Sequence, residues 1–270
     1  MDSPIYMHTL SALKSDFKKV GIKPGMTVLV HSSLKSVGHV CGGPVTIILA
    51  LEELLTETGT LVMPTFNTNL TDPAQWTSPP VEKCQLQEIL DEMPPFDLDL
   101  TPTRQMGCVS ETFRKQVGVI RSPHPHLSFA AWGKHAKSIC ANHSLEFALG
   151  EKSPLARIYE LRGHVLLLGV DHDRNTSMHL AEYSSRVTKT HVVQKAPLVI
   201  DGAKQWVEFD EIDLDNSDFL KIGRDFENQT GEVNCGTVGD TQVKLMSQPL
   251  LVDFAKNAMC QQVLPKNQRS

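Results

Sequence analysis

"TVLVHSSLKSVGHVCGGPVTIILALEELLTETGTLVMPTF", Thr27 to Phe66, is the stretch that decides the fold. Its opening "TVLVHSS" is a short β-branched run suited to a buried strand, and its closing "TLVMPTF" is a second. Between them Pro44 opens "VTIILALEELLTETG", whose apolar residues recur at the helical period and which Gly59 closes. Strand, loop, helix and strand in that order make a βαβ unit with two parallel strands.

Outward from this unit the same alternation continues. "HTLSALKSDFKKVG" reads as a helix stopped at Gly21, and "HVLLLGV", His164 to Val170, as a third buried strand. "MGCVSETFRKQVG" looks helical, "VIRSPHPHLSFAAWG" is loop then strand, and Ile139 to Gly163 holds one or two helices. Asn67 to Thr103 is a Pro- and Asp-rich excursion around one short helix, of the kind that more often shapes a site than idles. "THVVQKAPLVI" and "AKQWVEFDEI" alternate around Asp201-Gly202, a strong hairpin signal. The tail from Ser217 to Met259 reads as mainly helical, with a break at "NCGTVGDTQ". The expected fold is one α/β/α domain over 1–270, with a largely parallel central sheet and an antiparallel hairpin extension at 191–215.

Composition narrows the function. A chain of 270 residues with 40% hydrophobic and 21% charged residues is ordinary for a globular protein. A formal charge of −5 argues against nucleic acid as partner, because phosphate binding needs a basic face. There is no apolar run of the roughly 18 residues a bilayer requires, no signal-like N-terminus and no C-x-x-C among six dispersed cysteines. A cytoplasmic protein with reduced thiols is expected. The oligomeric state stays open between monomer and homodimer.

Two clusters carry chemistry. Ligands of open α/β sheets sit at the carboxyl ends of parallel strands, where "HSSLKSVGHVCGGP" follows the first strand. Ser32 and Ser33 supply hydroxyls there, Lys35 a cation, and Gly38, Gly42 and Gly43 close backbone approach, which suits a diphosphate. The pattern is neither G-x-G-x-x-G nor a Walker loop, and glycines that only turn the chain are the alternative reading. The second cluster follows the third strand. With Asn175 or Thr176 capping a helix, His179 and Glu182 fall one turn apart, so that the acid can orient the imidazole as a general base. Asp171 stands at the strand end beside them.

Rival readings remain at this level. His179 can be a structural histidine; Asp171, His172, Asp173 and His179 can include metal ligands, as in a hydrolase, although no known zinc spacing exists. Cys108 can be a nucleophile or an inert thiol. Arg121, His124 and His126 can bind an anion or pack a loop. The acidic run of Glu208, Asp210, Glu211, Asp213, Asp215 and Asp218 is a solvated face or an attractor of polyamines.

Taken in order, "VLVHSSLKSVGHVCGGP", "GTLVMPTF", "GVIRSPHPHLSFAAWG", "EKSPLARI" and "VLLLGVDHDRNTSMHLAEY" resemble the aminoglycoside N(3)-acetyltransferase family, over roughly residues 8 to 258. The resemblance implies transfer of acetyl from acetyl-CoA, as co-substrate and without a metal, to the 3-amino group of a 2-deoxystreptamine aminoglycoside or another amine or amino sugar. It implies CoA contacts from Ser32, Ser33, Leu34, Lys35, Ser36 and Val37, flanked by Met63, Pro64 and Thr65 and by Arg104 to Val109, Gly107 among them. His179 and Glu182 match the family's H-L-A-E and become the catalytic pair, with Asp171 as a third member. The excursion is expected to shape the acceptor pocket.

Overall fold

The computed structural model describes residues 4–185 and 189–263, so the domain expected over 1–270 extends past the described residues at both ends. The strands are β1 (Thr27–Ser32), β2 (Thr60–Pro64), β3 (Ile120–Arg121), β4 (Phe129–Gly133), β5 (His164–Leu168), β6 (His191–Ile200), β7 (Ala203–Ile212), β8 (Val233–Val238) and β9 (Thr241–Ser247). The helices are α1 (Leu10–Val20), α2 (Leu34–Val37), α3 (Pro44–Leu55), α4 (Leu86–Glu92), α5 (Gly107–Phe113), α6 (Ala136–Cys140), α7 (Pro154–Glu160), α8 (Ser177–Ser184), α9 (Phe219–Thr230) and α10 (Gln248–Val263). None of the described helices is long and apolar enough to cross a membrane.

Seven strands form one sheet in the order β3-β4-β2-β1-β5-β9-β8, and β6-β7 stand apart as a hairpin. The three central strands, β2, β1 and β5, run parallel, as the βαβ reading requires. β4 and β9 pair antiparallel on either side of them. β1 is buried on both faces, which explains why it reads as an unbroken apolar run. Its alternate residues feed two cores. Leu29, Val62, Val165 and Leu167 pack under α6 to α10, whereas Val28, Val30, Leu61 and Leu166 pack under α1, α3 and α5. Each such side chain, fully buried, contributes about 1.5–3 kcal/mol.

Two elements depart from the sequence reading. α3 ends at Leu55, on Thr56 in the left-handed region (φ 59°), not at Gly59. Gly59 is needed for closeness instead: a Cβ there would stand 2.6 Å from the Leu55 carbonyl oxygen. The break expected in a helical tail is a β-hairpin, β8-β9, turning at Gly239-Asp240. It extends the sheet beyond β5, and Gly236 lets it meet Val20 of α1.

The hairpin β6-β7 turns at Asp201-Gly202 as expected and carries the excursion. Lys204 Nζ donates to the carbonyls of Leu90 and Met93, at 3.1 Å each, capping the C-terminus of α4. Trp206 Nε1 donates to Leu90 O (2.9 Å), Phe96 N to Pro197 O (2.8 Å), and Lys195 pairs with Asp72 (3.0 Å).

Candidate active site

The carboxyl ends of β1, β2 and β5 open onto a cleft of about 610 Å³. β1 delivers Ser32 to its floor, and Ser33 then caps α2, its Oγ accepting from Ser36 N (3.4 Å). Ser36 Oγ donates back to Ser33 Oγ (2.9 Å) and contacts Gly169 O (3.2 Å), tying the loop to the end of β5. Ser32, Ser33, Leu34, Lys35, Pro64 and Gly107 line the cleft, with Cys108 exposed beside them. Lys35 and Arg174 are its cations, and no lining residue is acidic. Hydroxyls, two cations and an opening free of carboxylates suit a diphosphate.

Other residues expected at this cleft lie behind it. Val37, Met63 and Val109 are buried in the core beneath α3 and α5 and support its wall. Thr65 is sealed, its hydroxyl on Ser128 Oγ (2.9 Å), and Arg104 reaches to Asn69 Oδ1 (2.5 Å) on the excursion. Arg121 is no anion site: its guanidinium donates to the carbonyls of Leu98, Thr101 and Thr65 and to Ser128 Oγ. His124 and His126 are buried, bonded to Leu145 O and Leu70 O. Of the acidic run only Glu211 is buried, where it accepts from Ala148 N (2.9 Å) and Tyr183 OH.

α8 supplies the second cluster. Asn175 Oδ1 accepts from Ser177 N (3.2 Å) at its start, and Thr176 faces the cleft with Oγ1 3.3 Å from His31 Nε2. One turn on, His179 Nδ1 is hydrogen-bonded to Glu182 Oε2. The imidazole leans on Phe219 with ring centroids 4.7 Å apart, and its side chain keeps 13% exposure. Among the described residues nothing bonds Nε2. The Glu182 side chain is fully buried; its Oε1 accepts from Lys189 Nζ (2.6 Å) and Asp215 N (3.3 Å). Burial pushes the Glu182 pKa up, but His179 and Lys189 outweigh it and hold the carboxyl below its usual range.

Asp171 belongs to a different group. Its Oδ1 accepts from Lys244 Nζ (2.8 Å) and His172 N (2.9 Å), and Arg224 lies 3.7 Å from Oδ2. Lys244 also bonds Glu227 (2.7 Å), which pairs with His172 Nε2 (2.8 Å). The ligand atoms of Asp171, His172 and Glu227 could converge on an ion, but His179 is not of their number. An ammonium group already bonds both carboxylates. Asp171, expected as a third member beside His179, is bonded to Lys244 and to the His172 N–H and braces the end of β5.

The family model for aminoglycoside 3-N-acetyltransferases matches residues 29–260. The chain belongs to this acyltransferase family. It is 42% identical over 258 residues to the aminoglycoside N(3')-acetyltransferase-like protein YokD of Bacillus subtilis, covering 95% of this chain and 94% of that one. It is 34% identical to aminoglycoside N(3)-acetyltransferase III of Pseudomonas aeruginosa, covering 92% of each. The crystal structure of YokD superposes with a TM-score of 0.92 at 41% identity, over 94% of each chain. AAC-IIIb, solved as a binary complex with CoASH, superposes at 0.85 with 26% identity, covering 94% of this chain and 97% of that one. AAC-VIa bound to sisomicin superposes at 0.84 with 28% identity, over 94% and 98%.

On this acetyltransferase scaffold a second cavity, of about 560 Å³, opens on the Glu182 side of α8. Glu146, Glu151, Lys152, Glu182, Tyr183 and Lys189 help line it, and none of its lining residues comes from the excursion. Two residues here escaped the sequence reading. His31 is the penultimate residue of β1, immediately before Ser32 and Ser33, and its place near a parallel strand's carboxyl end was the available signal. Burial and the charge of His179 push its pKa down to about 3, so it stays neutral. Lys189 carried no local signal, because its partner lies in a helix that ends before it.

Proposed function

We propose that the protein transfers acetyl from acetyl-CoA to the 3-amino group of a 2-deoxystreptamine aminoglycoside, directly and without an acetyl-enzyme. The observation that carries this reading is the His179–Glu182 pair on a helix with one cavity at each end. Near pH 7 the acceptor amine is largely ammonium and cannot attack. His179 Nε2 removes a proton as the nitrogen attacks the thioester carbonyl, and Glu182 favours the imidazolium that results. Help of this kind is worth roughly 10²–10⁴-fold. The tetrahedral oxyanion is held by backbone N–H groups at the strand ends, then collapses to the amide and CoA thiolate. Lys35, Arg174 and the serine hydroxyls hold the diphosphate of the donor. The CoASH and sisomicin complexes of AAC-IIIb and AAC-VIa support both substrate classes.

A second acceptor class is favoured by Lys152 and Lys189 in the cavity beside Glu182, which suit a less highly charged amine or amino sugar. A cytoplasmic setting is supported by six unpaired cysteines. The test is CoA-thiol release from acetyl-CoA against 2-deoxystreptamine compounds, amino sugars and simple polyamines. Release with the first group, lost in His179→Ala, is expected. Release with none of them, or His179→Ala at near-normal kcat, refutes the proposal.

A further inference from the structure

The hairpin β6-β7 leaves the domain and returns to it at one carboxylate. Lys189, on the incoming root, places Nζ 2.6 Å from Glu182 Oε1; Asp215, on the outgoing root, donates its N–H to the same oxygen at 3.3 Å. The other oxygen bonds His179 Nδ1. Glu182 is thus shared between α8 and both roots of the hairpin, and the hairpin decides how its charge is divided. We infer that Lys189 is a positioning residue for the acetyl-transfer site: a built-in counter-cation that shares Glu182 with His179 and so sets the base strength of that imidazole. The inference rests on the general-base reading above.

Charge accounts for the effect. Among the described residues, the groups facing His179 are Glu182 on its own helix, Phe219 from α9, neutral His31 from β1, Lys189 at the hairpin root and Asp215 after β7. Lys189 is the one cation among them. A full positive charge on the far oxygen of the carboxylate opposes a second on the near one, so a protonated imidazole is held less tightly than by a lone Glu. The base then sheds its proton more readily and is ready for the next turnover. Lys189 also lines the second cavity, where an incoming ammonium competes for the same carboxylate.

The experiment is the pH dependence of kcat/KM, by thiol release, for the full-length protein and its Lys189→Met and Lys189→Arg variants, with thermal melts of each. The wild type is expected to show an acid limb. Lys189→Met moves that limb to higher pH by about one unit, in the range a single nearby charge produces, and Lys189→Arg restores it. A limb that stays in place in a folded Lys189→Met, with a lower plateau, means that the lysine only braces the hairpin and overturns the inference. A wild type without an acid limb removes the general-base reading itself, which separates the two failures. Should Lys189→Met not fold, Lys189→Gln provides the neutral comparison.

Discussion

Glu182→Gln is the most demanding test of the site, because it keeps the shape of the side chain and removes only its charge. In the native protein the carboxylate contacts the imidazole through Oε2 and the Lys189 ammonium through Oε1. Two opposite unit charges about 4 Å apart interact by about 4 kcal/mol at an effective dielectric constant of about 20. Lys189 shares the carboxylate and offsets part of this. At about 1.4 kcal/mol per decade, kcat should fall by about 10²-fold. The uncompensated Lys189 pushes in the same direction. No residue lining the donor cleft touches Glu182, so KM for acetyl-CoA should stay within about twofold, as expected when only the transition state loses an interaction. Steady-state thiol release with acetyl-CoA varied at saturating acceptor, beside a thermal melt, measures both. A folded variant with kcat within threefold of the wild type would refute the electrostatic account. A large rise in KM for acetyl-CoA would refute the separation of the two cavities.

Other outcomes follow from the same structure. Lys35→Ala should raise KM for acetyl-CoA by about tenfold with little change in kcat, and should flatten its salt dependence, as initial rates across a NaCl series would show. Gly223→Ala should lower the urea midpoint by the equivalent of about 3 kcal/mol. A Cβ there would stand 2.0 Å from His172 Cγ, and that buried ring is held by Glu227. Stability should also fall in mild acid. Burial pushes the pKa of His31 down to about 3 and that of His143 to about 4, and keeps His124 well below its ordinary range. Below about pH 6.5 the unfolded chain protonates these rings and the native protein does not, so their stabilisation is complete above pH 6.5 and drains away toward pH 4. Between pH 7 and 5 the rings of His31 and His143 remove about 4 kcal/mol, and Tm should drop by about 8 °C or more; a flat Tm across that window contradicts their burial as neutral groups.

The parts of the fold legible in the sequence were those with an unbroken local signal. β1, α3 and β2 follow from a β-branched run, a proline-opened amphipathic segment and a second run, and Asp201-Gly202 announced the hairpin. The β8-β9 pair did not show, because "VNCGTV" is mostly exposed and lacks apolar alternation. Its strand state is imposed by pairing with β9 at the sheet edge. At the site, Ser32, Ser33 and Lys35 were legible from their place after a strand, and the His179–Glu182 bond from helical spacing. The partners of Asp171 did not show, because strand-end position says nothing about them. Lys244, 73 positions away, turns Asp171 into a brace. Lys189 and His31 act through contacts across the chain that no local spacing encodes.

The fastening of the excursion to the hairpin has an evolutionary consequence. Lys204 and Trp206 grip the end of α4, and Lys195 grips Asp72, so the outer part of each segment is seated on the other. Grafting one alone from a relative would strand polar backbone and a tryptophan. Grafted together they form a transplantable cassette whose roots, at residues 189 and 215, rejoin an unchanged catalytic helix. Diversification within such enzymes is therefore expected to proceed by exchanging both pieces in concert, while the sheet beneath is inherited intact.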